Sequence, residues 1–301
     1  MSRIVVTVPA TTANLGPGFD CLGMALELHN VFTVEPSNHS AIIVRGQGED
    51  KLPHGARNLV FRAMAQVYGE MGKVMPPLLV TCQNEVPLRR GLGSSATAVV
   101  GGLVAANELL ERPLSKDRLL ELATALEGHP DNVVAAIFGG CQVVAQNGGL
   151  VHVSVPLPSG LQAVLFVPDF EMPTRHSRTI LPRRVNRADA VYNLGRIGLL
   201  VTALATNQLE YLRVATEDRL HQPVRQTLFP AMGLLFQAAL NAGALGAFLS
   251  GSGSTILALC RYGTTAVAQA MADAAAQVGV SGKVVVTRPS PVGASAVVQD
   301  N

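Results

Sequence analysis

Gly91 and Gly93, followed at once by Ser94 and Ser95, set two permissive backbone positions and two hydroxyls just ahead of a small-residue apolar run, Ala96 to Leu110. That pattern is a turn feeding a helix N-terminus, where unpaired N–H groups and the helix dipole favour an anion, above all a phosphate. Glycine allows positive φ and lets the backbone approach a ligand closely. A plain helix cap uses the same residues. Two familiar phosphate motifs do not fit. The dinucleotide fingerprint G-x-G-x-x-G lacks its third glycine, which is Ala96 here, and the P-loop lacks a lysine after its last glycine. What is left is a serine-bearing phosphate loop, with Ser95 suited to Mg²⁺ or a phosphate oxygen and with Arg89 and Arg90 placed to add positive charge.

Three further stretches carry candidate chemistry. Thr11–Gly23 packs three glycines and a proline among small residues and reads as a loop, with Asn14 and Asp20 held between apolar Leu15, Phe19 and Leu22 as pocket-lining groups. Gly128-His129-Pro130-Asp131-Asn132 breaks a helix, and Asp131 there is equally suited to capping the short helix that follows. Ser250-Gly251-Ser252-Gly253-Ser254 is a second glycine/serine turn.

Composition narrows the class. The 301 residues suffice for two modest domains, and 48% hydrophobic against 15% charged residues predicts a folded chain. A net charge of +2, 4% aromatics and no basic run give no reason to expect a nucleic-acid partner. The four scattered cysteines form no metal-ligand pair and read as reduced thiols of a cytoplasmic protein. The first residues lack a signal-peptide apolar run, and no segment is apolar enough to span a membrane.

These residues need elements to hold them. Strands are expected at Ile4–Val8, Val31–Glu35, Ala41–Arg45 and Pro77–Cys82, and helices at 59–71 (capped by Asn58), 95–110 and 115–127 (capped by Ser115). A helix over 133–138 is followed by a hairpin of Cys141–Ala145 and Leu150–Val155. Pro156–Gly160 marks the boundary between 1–156 and 157–301. Beyond it come a strand at Gln162–Val167, a polar loop Pro168–Pro182 and a helix at Asn186–Leu204. Strands at Gly243–Leu249 and Thr255–Leu259, a helix at Ala266–Val278 and a strand at Lys283–Thr287 follow. Strands and helices mix without strict alternation, which predicts an α+β fold.

Four of these stretches carry a resemblance. Pro87-Leu88-Arg89-Arg90-Gly91-Leu92-Gly93-Ser94-Ser95-Ala96-Thr97 resembles the ATP-binding signature of the GHMP kinases. Pro9–Gly23, Gly128–Gly140 and Leu249–Ser254 are similar, in the expected order, to motifs of the branch of that family that acts on homoserine. The resemblance implies a two-domain fold, with an N-terminal ribosomal-protein-S5-domain-2-like ATP-binding domain and a C-terminal ferredoxin-like domain. It implies ATP-dependent phosphorylation of the L-homoserine hydroxyl in threonine biosynthesis, with Mg²⁺, by a homodimer. Carried over residue by residue, it assigns ATP contacts to Asn58 and to Pro87 through Thr97, and Mg²⁺ to Ser95 and Glu121. It assigns the amino-acid substrate to Asn14, Asp20, Arg178, Arg225 and Gly251, and reaction-centre roles to His129, Asp131, Asn132 and Thr174. A zwitterion needs a carboxylate for its ammonium (Asp20) and guanidinium groups for its carboxylate (Arg178, Arg225), which makes that set chemically coherent.

Related kinases use an aspartate as base at the start of the helix that here opens Asp131-Asn132. Counted from Glu121, that position is Asn132, which cannot accept a proton; matched by the Asp-Asn pair, it is Asp131. We prefer the first count, which leaves catalysis to positioning, metal and the N–H-rich loop. The rivals are a mevalonate or sugar kinase and a non-catalytic sensor; the charged substrate set argues against the first, and the Ser95–Glu121 pair against the second.

Overall fold

The computed structural model describes residues 3–299. The first lobe comprises β1 (Arg3–Asn14), β2 (Gly18–Pro36), β3 (Ala41–Gly46), α1 (Leu59–Glu70), β4 (Leu78–Asn84), α2 (Ser94–Leu109), α3 (Lys116–Glu127), α4 (Asp131–Phe138), β5 (Cys141–Gln146) and β6 (Leu150–Val155). The second comprises β7 (Gln162–Pro168), α5 (Thr174–Thr179), α6 (Arg187–Ala205), α7 (Leu212–Ala215), α8 (Gln222–Arg225), α9 (Met232–Asn241), β8 (Gly246–Leu249), β9 (Ile256–Cys260), α10 (Thr264–Gln277) and β10 (Gly282–Thr287), and is followed by β11 (Ser295–Gln299).

Two sheets organise the chain. The larger has seven strands in the order β11-β1-β2-β4-β3, with β5 on β2 and β6 on β5; the smaller runs β10-β7-β9-β8. Every pair in the smaller sheet is antiparallel, and its order is that of the split β-α-β ferredoxin-like unit. The mixed α+β architecture and both halves of the fold therefore stand as the sequence predicts. β11 departs from the division at residue 156: it pairs with β1, register Arg3↔Gln299 to Thr7↔Ser295, and so belongs to the first lobe's sheet. Residues 1, 2, 300 and 301 of that division lie outside the described residues.

The Thr11–Gly23 segment is a correction. Rather than a loop, it is two paired strand ends joined by a turn at residues 15–17, with Thr11↔Ala25 and Ala13↔Gly23 in register. β1 alternates buried and exposed only as far as Val8; from there to Asn14 every residue is buried, because the second lobe covers the other face. Glycine density misread the segment, since Gly23 is there for packing: a Cβ would lie 1.8 Å from the Asp131 carbonyl oxygen of α4. The Pro168–Pro182 loop likewise contains α5.

Three cores hold these layers. One lies between the large sheet and α1–α4 around Phe32, Val34, Val99 and Leu103, one between the lobes around Leu22, Met24, Leu165 and Phe248, and one behind the small sheet around Phe166, Phe229 and Met271. α2 is buried along nearly its whole length, which explains its unbroken small-residue composition. A Cβ at Gly101 would lie 2.3 Å from the ring of Phe32, itself buried. Gly101→Ala gains about 1 kcal/mol in helix propensity, but overpacking a ring with no room to move costs about 1–3 kcal/mol. We expect a net loss of up to about 2 kcal/mol, read as a lower urea midpoint at unchanged m-value.

Candidate active site

Between β4 and α2 the chain turns through Pro87–Gly93, and α2 starts from Gly93 at φ 68° with no side-chain cap. The N–H groups of Ser94, Ser95 and Ala96 at the first turn thus lack intrahelical partners, and the first bond closing the turn runs from Thr97 N to Gly93 O at 2.8 Å. Both glycines are doubly required. Gly91 and Gly93 have positive φ, and a Cβ would lie 2.0 Å from Ser250 O and 1.9 Å from Thr11 Oγ1 respectively.

A cavity of about 370 Å³ opens at this turn. One end is apolar, lined by Val44, Leu52, Pro53 and Leu59, and the other carries Asn14, Asp131, Asn132, Thr174, Arg178, Arg225 and Gly251. Asn58 borders the apolar end, but its side chain is committed to structure: Oδ1 accepts from Val60 N at 2.9 Å and Nδ2 donates to Pro53 O at 2.8 Å. Within the loop, Leu88, Arg89, Arg90, Gly91, Gly93, Ser94 and Ser95 border the cavity, whereas Pro87, Leu92, Ala96 and Thr97 are buried as support. Thr97 Oγ1 donates to Ser94 O and accepts from Asn30 Nδ2, both at 2.8 Å.

The two arginines border the cavity and also hold the loop in place. Arg90 donates to the carbonyls of Leu88, Pro168 and Asp169, which clasps the loop to β7. Arg89 is 3.2 Å from Glu171, whose other oxygen lies 3.3 Å from Lys51 Nζ. One carboxylate of the second lobe so bridges two cations at the cavity mouth, and neither Lys51 nor Glu171 was legible as a site residue.

Glu121 is corrected. It stands 45% exposed on the outer face of α3, paired with Arg118. The residue beside Ser95 is Glu127, whose Oε2 accepts from Ser95 Oγ at 2.8 Å. Six residues of helix turn a side chain roughly 240° round the axis, so the two glutamates cannot share a face. Glu127 ends α3, and Gly128 at φ 84° stops the helix there, bringing that last turn against the start of α2. Burial pushes its carboxyl above the usual range, against the opposing Ser95 hydrogen bond and the nearby His129. The sequence signal was present in the C-terminal glycine cap directly before His129.

At the polar end, Asp20 and Arg178 face each other in a bidentate pair, 2.9 Å (Nη1–Oδ2) and 2.6 Å (Nη2–Oδ1). The zwitterion reading had them gripping opposite ends of a ligand; in the structure they satisfy each other, and only Arg178 borders the cavity. Asn14, at φ 70°, ties the turn to the second lobe: Oδ1 accepts from Asp20 N at 3.0 Å and Nδ2 donates to Gly251 O at 2.9 Å. Arg225 is 1% exposed; burial and Arg178 push it down to about 10, so it stays protonated at neutral pH. Thr174 meets Ser252 at 3.1 Å across the cavity rim.

Asn132 accepts from Thr11 Oγ1 at 2.8 Å, beside Gly93. Asp131 does not cap α4 from outside but is its first residue, 1% exposed, with Oδ1 accepting from Asn132 N at 2.8 Å and lying 2.7 Å from His129 Nδ1. Burial pulls His129 down, but the hydrogen bond and charge of Asp131 outweigh it and hold the imidazole above its ordinary 6.5. A folded value above the unfolded one makes this pair stabilising below about pH 6.5 and lost as pH rises through the folded value. Histidine-resolved NMR should show His129 titrating above 6.5, and Asp131→Asn should bring that midpoint down.

Residues 58–140 match the GHMP kinases N terminal domain, and residues 192–280 match GHMP kinases C terminal. The chain is 47% identical over 277 residues to homoserine kinase of Moorella thermoacetica, covering 92% of this chain and 94% of that one. It is 47% identical over 272 residues to homoserine kinase of Thermosynechococcus vestitus, covering 90% and 89%. The crystal structure of homoserine kinase from Cytophaga hutchinsonii superposes at a TM-score of 0.89 with 31% identity, over 98% of this chain and 97% of that one. A mevalonate kinase structure shares the fold at a TM-score of 0.69 with 12% identity. With a phosphate-ready helix start at the junction of two such lobes, the chain belongs to the GHMP kinase superfamily, within its homoserine kinase family.

Proposed function

We propose that this chain transfers the terminal phosphoryl group of ATP to the hydroxyl of L-homoserine, a step toward threonine. The observation that carries the reading is the junction itself: a helix start with free N–H groups, a serine–carboxylate pair, the buried guanidinium of Arg225 and the half-buried one of Arg178 line one cavity.

The apolar end takes the nucleotide base, and the N–H groups of Ser94, Ser95 and Ala96 donate to the phosphates under the α2 dipole. The Ser95–Glu127 pair fits Mg²⁺. Both donors are hard oxygens, and among the described residues no cluster of three His, Cys, Asp or Glu side chains offers a complete protein cage, which suits a cation that keeps water and phosphate ligands. When bound, Mg²⁺ neutralises charge on the phosphates. Arg178 and Arg225 take the substrate carboxylate, Asp20 its ammonium by exchanging its pairing with Arg178, and Asn14 and Gly251 frame the backbone end. Thr174 and Asn132 orient the hydroxyl toward the phosphate. The acceptor oxygen forms its bond to phosphorus as the bond to the ADP oxygen breaks, and the hydroxyl proton passes to a phosphate oxygen. No protein base is required in a loose transition state, because positioning and charge stabilisation lower the barrier. Asp131 instead keeps His129 and Asn132 in place.

No helix among the described residues is long and apolar enough to cross a membrane, and the four thiols are unpaired, which supports a cytoplasmic enzyme; we read it as a homodimer.

An ADP-release assay with homoserine, mevalonate and galactose tests the reading: ADP with homoserine alone supports it, and nucleotide binding without ADP from any acceptor favours a sensor. Glu127→Gln should lower kcat/KM by at least about a hundredfold. Glu121→Gln should stay within about twofold of wild type, and the reverse order would return the metal to Glu121. Asp131→Asn should keep kcat within about tenfold, whereas loss of a true general base costs about 10²–10⁴-fold.

A further inference from the structure

His221 is wholly buried and plays no part in the chemistry above, yet its ring is fixed on every side. Nε2 lies 2.8 Å from Gly16 O; a carbonyl can only accept, so Nε2 carries the proton and Nδ1 presents a lone pair. That lone pair is 3.0 Å from Nη1 of Arg225. The ring stacks on Phe19 at 5.3 Å, and the Phe19 ring has the guanidinium carbons of Arg178 and Arg225 at 5.6 and 5.5 Å. The backbone is pinned as well: Asp218 Oδ2 accepts from His221 N at 2.9 Å and Gln222 N at 2.7 Å, and its Oδ1 accepts from Asn193 Nδ2 at 2.7 Å.

The guanidinium of Arg225 is thereby divided. Nε donates to Ser177 O at 3.3 Å and Nη1 to Gly251 O and His221 Nδ1, both at 3.0 Å, while Nη2 donates to no group among the described residues of a side chain that borders the cavity. We infer that His221 is a positioning residue for the acceptor: by holding Nη1 from behind, it aims Nη2 of Arg225 at the substrate carboxylate. The inference rests on the homoserine reading of that cavity.

The role requires a neutral ring. Protonated, Nδ1–H would point at an Arg225 N–H and push the guanidinium away. The charged groups facing the ring are Asp218 and Arg225 on its own segment, Asp20 from β2, and Arg178 from α5 across Phe19. Burial dominates and holds His221 far below the ordinary imidazole range. The carboxylate grip is accordingly insensitive to pH across the neutral range and fails only in acid.

The test compares wild type, His221→Gln, which keeps an acceptor and a donor, and His221→Leu, which keeps neither. Ligands are L-homoserine and 3-aminopropan-1-ol, the same molecule without its carboxylate, used as a competitor. His221→Leu should raise KM for homoserine about tenfold, with kcat, KM for ATP and the inhibition constant of the amino alcohol each unchanged within about twofold. His221→Gln should recover most of that loss. Nitrogen-15 NMR of wild type at pH 7 should show the neutral Nε2–H tautomer. Equal weakening of both ligands indicates a merely structural residue and overturns the inference, as does an unchanged homoserine KM, a protonated ring or an Nδ1–H tautomer. Wild-type chain that turns over no homoserine overturns the substrate reading and this inference with it; normal wild-type turnover confines any failure to His221.

Discussion

The structure depends on a backbone clasp between the lobes, in which the second glycine/serine turn sits directly on the phosphate loop. Ser250 Oγ donates to Gly91 O at 2.6 Å and shares a hydrogen bond with Thr12 Oγ1, Gly251 N donates to Ala13 O, and Thr255 N donates to Arg90 O. Every group here is buried or nearly so, and an unpaired buried amide costs about 1–3 kcal/mol, so the two turns are fixed to each other within narrow limits. No side chain fits between them at Gly91. The apolar end of the cavity is built from the first lobe and its polar end from both, so separating the lobes would dissolve the site.

Charge in the cavity is arranged by exchange rather than by vacancy. Asp20 neutralises Arg178, and Glu171 neutralises Arg89 and Lys51, so each potential contact for a charged ligand already has a protein partner of opposite sign. A zwitterion can replace the Asp20–Arg178 contact charge for charge, with little net desolvation. Arg225 differs. It is almost wholly buried, its neighbours accept from Nε and Nη1 through carbonyls and a neutral ring, and its charge has no direct carboxylate partner among the described residues. A buried cation held by neutral acceptors is the part of the site with most to gain from an incoming carboxylate.

Much of the fold was legible because it is local physics. Asn58 and Ser115 cap the helices that their positions announce, and hydrophobic periodicity locates α1. The failures have separate causes. Thr11–Gly23 reads as a loop because its glycines and small polar residues mimic turn composition, whereas they serve close packing under the second lobe. β11 escapes notice because a five-residue, mostly exposed strand has no buried alternation to display. The resemblance assigns the metal to Glu121 by its position along the chain, and position along the chain carries no information about which face of a helix meets a neighbour.

Residue type and spacing alone establish the phosphate-ready turn, the helices that carry it, the α+β class and the family, since each rests on bonds between near neighbours or on whole motifs. Which carboxylate stands beside Ser95, that Arg90 clasps the loop to β7, and that Asp20 and Arg178 pair were decided by tertiary structure alone. Those contacts join residues 32, 78 and 158 positions apart. Their geometry is set by how two sheets and their helices pack, and packing direction is not encoded in any local pattern.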